Sequence, residues 1–354
     1  MRASPFFANA ANIARVSRQI LIEQRATSRS LLALLPLLGL ILFLTCAAAG
    51  CKSSSKTRAS EEAAKKKAKE SAGEDSSSGN VIARLEDDSI DESSGIAASR
   101  RNPGIFWTHN DSGDDPLLFA IDREGRTRGV WRITGARARD WEDIAVGPGP
   151  ESGRTYVYIG DIGNNKYSRE NLIIYRLPEP VVDTASERSR RGNPLRTEAA
   201  EVIRLAYPDG NHDAEALMVH PQSGDIYIAT KTTDPATTIY KLNGAASYSG
   251  VQQLARVGEV RIPNLFGALI TGADISPDGR RVIFCDYTRA YELRMKVSDG
   301  LDFDSIWSRE VVSVPLGRRE QGEAVCYRLD GQAILATSEG RHTPLIEYTF
   351  PSQP

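Results

Sequence analysis

The sequence predicts an all-β fold of five four-stranded blades closed into a ring. Three observations carry that reading. An acidic segment recurs five times, as Asp91-Glu-Ser-Ser-Gly-Ile-Ala, Asp140-Trp-Glu-Asp-Ile-Ala-Val, Asp213-Ala-Glu-Ala-Leu-Met-Val, Thr271-Gly-Ala-Asp-Ile-Ser and Gln321-Gly-Glu-Ala-Val-Cys-Tyr. A short β-rich run follows each copy, such as Ile105-Phe-Trp-Thr-His or Ile226-Tyr-Ile-Ala-Thr. Between Val81 and Phe350 helix-period patterns are scarce, and β-branched and aromatic runs alternate with Gly, Pro, Asp and Asn turns. Self-similarity at this spacing marks radial or stacked repeats.

Strands follow each acidic head in order. The first repeat supplies runs near Gly95–Ser99, Ile105–His109, Leu117–Ile121 and Gly129–Ile133, and the second Ile144–Gly147, Tyr156–Gly160, Leu172–Leu177 and Glu201–Ala206. The third supplies Ala216–His220, Asp225–Thr230, Thr238–Leu242 and Val251–Ile262, and the fourth Ala273–Ser276, Arg281–Asp286, Ala290–Met295 and Glu310–Pro315. The fifth has Ala324–Arg328, Gln332–Ser338 and Pro344–Phe350, and ends one strand short. Val81-Ile-Ala-Arg-Leu85, ahead of the first repeat, is the strand that completes the last blade. Radial closure of four-stranded blades is the β-propeller design. At about 54 residues each, the repeats are slightly longer than common propeller blades, with the excess in loops such as Asp183–Arg196. Six blades is the nearest alternative, and two stacked sheets the next.

The chain ahead of Val81 reads as an address, not as fold. Arg15, Arg18, Arg25 and Arg29 precede an apolar run from Leu31 to Leu44, and Ala48-Ala-Gly-Cys51 follows. That order of basic, apolar and small residues is an export signal. The Cys after Ala-Ala-Gly resembles the lipobox of bacterial lipoproteins, with Ala48 where that family usually carries Leu. The resemblance implies lipidation at Cys51, with 1–50 as signal, 51–80 as lipidated Cys and flexible tether, and 81–354 as the propeller. It implies the bacterial cell envelope, with the membrane as a partner through the lipid, at the outer membrane or cell surface. An uncleaved transmembrane anchor and cleavage without lipid are the alternatives. The tether is Ser-, Ala-, Lys- and Glu-rich and holds no large apolar residue to bury. Of the four cysteines, Cys285 and Cys326 lie in apolar strand runs of different repeats and are expected as buried free thiols. A net charge of -2 offers no field for a nucleic-acid partner.

The acidic heads align into columns at the mouth of an axial channel. One column is Ser94, Glu142, Glu215, Ala273 and Glu323, and two residues earlier lie Glu92, Asp140, Asp213, Thr271 and Gln321. Asp143 and Asp274 sit one residue beyond the first column, and Asp111, Asp161, Lys231, Asp286 and Glu339 end the second strands. Carboxylates gathered about one axis need a cation, protons or hydrogen-bond donors. Oxygen-only ligands suit Ca²⁺ or Mg²⁺, and the expected metal set is Glu142, Glu215, Glu323, Asp213 and Asp274. Glu92, Asp140, Glu215, His109 and His212 are the acid–base candidates. The third solution is that the acids bond backbone N–H groups and lock the ring.

These heads resemble those of calcium-dependent phytase-like and gluconolactonase-like propellers, which also place acids at the start of inner strands. The resemblance implies a metal-dependent hydrolase of phosphoesters or lactones. Phytase-like propellers need basic residues for phosphate, and here Lys231 is the only basic member of the columns. Five-bladed glycosidases use three inner-strand carboxylates, a trio that Glu92, Asp140 and Glu215 imitate. Trp107-Thr-His-Asn-Asp-Ser-Gly-Asp-Asp115 resembles an Asp-rich calcium loop, although turn chemistry favours the same residues. Trp107 and Trp141 suit either packing between blades or stacking on a sugar. No G-x-S-x-G elbow, P-loop or dinucleotide fingerprint occurs. The reading that results is a lipid-anchored propeller whose acidic mouth binds a cation, a small molecule, a glycan or a protein. A hydrolase and an envelope scaffold are the alternatives, and no reaction is named by the residues.

Overall fold

The computed structural model describes residues 78–351 other than 112, 265, 266, 301, 318 and 320. The signal, Cys51 and the tether to residue 77 lie outside the described residues. Within them, no helix is long and apolar enough to cross a membrane.

Five antiparallel sheets form the blades. Blade 1 runs from the axis outward as β2 (Ser93–Ala98), β3 (Ile105–Asn110), β4 (Leu117–Asp122) and β5 (Thr127–Thr134). Blade 2 is β6 (Trp141–Pro148), β7 (Thr155–Asp161), β8 (Leu172–Pro178) and β10 (Glu201–Ala206). Blade 3 is β11 (Ala214–Val219), β12 (Ile226–Thr230), β13 (Ala236–Leu242) and β15 (Ala255–Arg261). Blade 4 is β16 (Gly272–Ile275), β17 (Arg281–Cys285), β18 (Ala290–Arg294) and β19 (Val312–Val314). Blade 5 is β20 (Gly322–Tyr327), β21 (Ala333–Ser338) and β22 (Pro344–Thr349). Its fourth strand is β1 (Asn80–Arg84), antiparallel to β22, so the chain's first described strand closes its last blade. The inner strands β2, β6, β11, β16 and β20 pack each against the next, and β20 against β2, which completes the ring.

Burial explains why the strands are so uniformly apolar. A blade has a neighbour on both faces, so β4, β11 and β21 are buried at every position. Near-continuous apolar runs are what two-sided burial selects. Outer strands face solvent on one side, and β10 accordingly mixes buried Ile203 and Leu205 with exposed Arg204. The core divides into one cluster at each seam, as between blades 3 and 4, where Met218 and Tyr227 meet Phe284 and Trp307. Cys285 belongs to the seam of blades 4 and 5 and Cys326 to that of blades 5 and 1, and both are free thiols.

Two outer segments depart from the expected layout. Val251–Ile262 is not one strand: Val251–Gln253 forms β14, which leaves its own blade and lies parallel on β10 of blade 2. β9 (Leu195–Ala199), within the long connection of blade 2, likewise lies parallel on β5 of blade 1. Both are edge pairings, which a local β pattern does not specify.

Candidate functional site: the acidic mouth of the channel

The mouth is where inner strands begin and second strands end. Each of four inner strands carries one extra residue at its start. In blade 2 Trp141 pairs with Asp161 and Asp143 with Gly160, so Glu142 has no partner in the ladder. The same irregularity frees Ser94, Glu215 and Glu323 in blades 1, 3 and 5. Blade 4 has none, and Gly272 and Ala273 pair regularly with Cys285 and Phe284. A bulge re-aims the side chain it frees. The glutamate column is therefore a column of bulge residues, interrupted at blades 1 and 4.

Asp111, Asp140 and Glu142 form the one candidate metal-holding group found among the described residues, with carboxylate oxygens all within 4.8 Å of one another. Asp111 comes from the chain just after β3 of blade 1, and Asp140 and Glu142 from the head of β6 in blade 2. Glu142 is only 5% exposed. Burial pushes its pKa well above the usual carboxylate range, and Glu215, Asp111 and Asp140 push it further. Its carboxylate has no hydrogen-bond or ion-pair partner among the described residues. Burial and then Asp111 raise Asp140 as well.

The floor of this group is Gly163. A Cβ on it would lie 2.0 Å from Glu142 Oε1 and 2.6 Å from Asp140 Oδ2, so these two acids can take their places only against bare backbone. Arg169, itself buried, holds that backbone in place. Its guanidinium donates to Gly163 O at 2.7 Å and Asp161 O at 2.9 Å, and pairs with Asp161 Oδ1 at 2.7 Å.

Across the mouth, Lys231 at the end of β12 bonds both oxygens of Glu215 and the Tyr287 hydroxyl, the last at 2.7 Å. Against the pull of burial, Glu215 holds Lys231 above the usual lysine range. Glu323 is pushed up to about 8 by burial and by the Glu215 charge, against the opposing charge of Lys231. Glu339 and Glu92 sit nearer solvent, both raised by burial first; the Asp111 charge raises each as well.

The remaining expected residues lie elsewhere in the mouth and its seams. Asp213 accepts the Asn164 N–H at 2.7 Å and ties blade 2 to blade 3. Asp274 accepts the N–H groups of Ile275 and Tyr327, each at 2.8 Å, and locks blade 4 to blade 5. His109 is fully buried, with Nδ1 on Asn110 O at 2.8 Å and its ring edge-on to Trp141. His212 lies beside Tyr207 and Tyr240, with Nε2 3.0 Å from Asp209. Glu92 is exposed, so the trio Glu92, Asp140 and Glu215 combines a rim acid, a half-buried acid and a buried ion pair. Trp107 and Trp141 are buried between blades 1 and 2. The Asp-rich loop is a turn network: Asn110 Nδ2 donates to Asp114 at 2.7 Å, and Arg132 and Arg191 pair with Asp115 and Asp114.

The columns thus point to Glu142 and Asp140 but give them separate roles, and the expected metal set lacks Asp111. What joins them is the seam between two blades, where the end of one second strand meets the head of the next inner strand. Gly160-Asp-Ile-Gly-Asn-Asn165 held the remaining signal, a glycine placed against the acids.

No family model matches this sequence. No curated protein matches it either. Among solved structures, a chain of one titled "Crystal Structure of Mitotic Checkpoint Complex" is similar over 72% of this chain, at 12% identity and a TM-score of 0.35. This chain spans 61% of that chain's length. A likeness at that level carries no argument about function.

Proposed function

We propose that the mouth of the propeller binds a hard divalent cation, Ca²⁺ or Mg²⁺, through Asp111, Asp140 and Glu142. The observation that carries this is the buried, unpartnered carboxylate of Glu142 facing two more carboxylates. An unpaired buried charge is strongly unfavourable, and a cation with oxygen ligands removes that penalty at Glu142. The bare backbone of Gly163 and the Arg169 clamp behind it keep the acids converged. The leader and Cys51 support export of this propeller on a lipid anchor, so the ion it meets is that of the cell envelope.

A second reading rests on Glu323. A carboxyl pushed up to about 8 beside the Glu215–Lys231 pair is a proton donor near neutral pH. With a cation opposite, that arrangement supports hydrolysis of a phosphoester, lactone or glycoside. The distinguishing sign is a Glu323→Gln variant that keeps cation binding and loses turnover.

Melting curves with calcium, magnesium and chelator test the first reading. Binding to the folded state alone stabilises it by about 2.7 kcal/mol at a hundredfold excess over Kd. Calcium or magnesium raises the melting temperature of the wild type, and Glu142→Gln abolishes the response. A wild type indifferent to both ions and to chelator overturns the proposal.

A further inference from the structure

On the face opposite the acidic mouth, where inner strands end and second strands begin, blades 4 and 5 meet along a row of arginines. Arg281 opens β17, Arg294 pairs with it at the end of β18, and Arg280 lies in the turn just before. All three line a groove of about 600 Å³ whose other wall is Phe350 and the Gly331–Gln332 turn of blade 5. The Phe350 ring lies 5.5 Å from the Arg281 guanidinium and 5.8 Å from that of Arg294.

Acids do not match these cations. The carboxylate between them is that of Glu292, which is fully buried. It accepts Arg294 Nε at 2.5 Å and the Tyr327 hydroxyl at 2.9 Å, and stands 3.5 Å from Arg281 Nη1. Asp278 lies at the rim, 3.9 Å from Arg281 Nε. Arg280 has no carboxylate partner among the described residues, and its Nη2 donates to Lys296 O at 3.0 Å. Each guanidinium carries five N–H donors in a planar fork. Three of them around one saturated carboxylate leave donors over and a positive charge unmet.

The groove continues past the arginines. Asp278, Arg280 and Met295 also line a second pocket, of about 530 Å³, at the seam of blades 3 and 4. His220 and Phe303 form its far side, with ring centroids 4.6 Å apart. Burial lowers the His220 pKa, so near neutral pH that ring adds no charge. An apolar pocket and an arginine shelf thus share one edge.

We propose that this double groove docks an acidic protein segment carrying one bulky apolar side chain. Arg281 and Arg294 take carboxylates of the segment, and the apolar residue fills the pocket of Met295, His220 and Phe303. Arg280 stands at the shared edge and reaches either part. Arginine clusters recognise acidic motifs through charge-assisted, bidentate hydrogen bonds, and arginine and aromatic side chains dominate docking energies. The combined surface favours a chain over a free anion: a phosphate or a lone carboxylate meets the arginines and leaves the adjoining pocket unfilled.

Fluorescence anisotropy of the full chain with a dye-labelled Asp-Glu-Phe-Glu-Asp peptide tests this. Expected is saturable binding to the wild type below about 1 mM. Arg280→Glu in the protein, Asn and Gln for the acids of the peptide, and Ala for its Phe should each weaken it on the order of tenfold. No saturable binding to the wild type overturns the proposal. So does unchanged affinity after any one of the three changes; indifference to the Phe alone assigns the groove to a free anion. Crosslinking gives a reading that needs no variant of the protein. With benzophenone in place of the peptide's Phe, irradiation should attach it to Met295 or Phe303, and attachment only elsewhere overturns the proposal.

Discussion

Asp143 of blade 2 accepts the backbone N–H of Ala273 in blade 4 at 3.1 Å, although those blades are not neighbours in the ring. The bond therefore crosses the axis. The same carboxylate takes the N–H of Ile144 at 2.8 Å and of Leu217 in blade 3 at 2.9 Å. One fully buried side chain thus joins three inner strands below the mouth.

Replacing Asp143 by Ala leaves buried N–H groups on three blades without an acceptor. At about 1–3 kcal/mol for each unsatisfied group, the loss is roughly 3–9 kcal/mol. Urea unfolding of Asp143→Ala against wild type measures it. A change below about 1 kcal/mol means that water or backbone rearrangement replaces the carboxylate.

Gly163→Ala separates the fold from the proposed cation site. The new methyl occupies the space of the Glu142 and Asp140 carboxylates, so the acids must part. The expected outcome is a folded protein whose melting temperature no longer responds to calcium or magnesium. An unchanged response places the ion elsewhere.

Glu323 makes stability fall as pH rises. Its folded-state pKa of about 8 lies above the ordinary 4.5, so the protonated form is favoured in the fold. The contribution is fully present below about 4.5 and is lost as pH climbs through about 8, by a few kcal/mol at most. Glu323→Gln should match wild type near pH 4.5 and exceed it near pH 8.5 in denaturant titrations with chelator present. Equal stability at both ends contradicts the burial argument.

His109 acts in the opposite direction. Burial lowers it from 6.5 to about 4, against weaker support from the Asn110 and Asp143 backbone. A depressed histidine contributes fully above about pH 6.5 and loses its contribution as pH falls toward about 4, roughly 3 kcal/mol in all. Unfolding at pH 7 and pH 5 reads the difference, and His109→Phe, which keeps the ring against Trp141, should flatten it.

Blade number, strand order and closure by the strand at residue 80 were legible because two-sided burial writes long apolar runs between turn residues. The bulges were visible only as a column of glutamates, since a one-residue irregularity leaves no local pattern. The edge pairings of β9 on β5 and β14 on β10 were not legible. Val251–Ile262 is β-rich throughout, and which blade its first three residues join is decided by an exposed edge elsewhere in the chain. In the site, the columns found Glu142 and Asp140, but Asp111 entered only when blade 1 was set beside blade 2. Asp274 looked like Glu142 in sequence and differs because both its oxygens are taken by backbone N–H groups.

The pairing of β1 with β22 sets Asn80 opposite Glu347 and Arg84 opposite Pro344. During synthesis the first strand of the domain appears long before its partner, and it must wait for nearly the whole domain to follow. Until then blade 5 lacks an edge and the ring stays open. Contacts of such sequence separation form slowly. Ring closure is therefore a late step, and β1 stays an unpaired edge until β22 has been made.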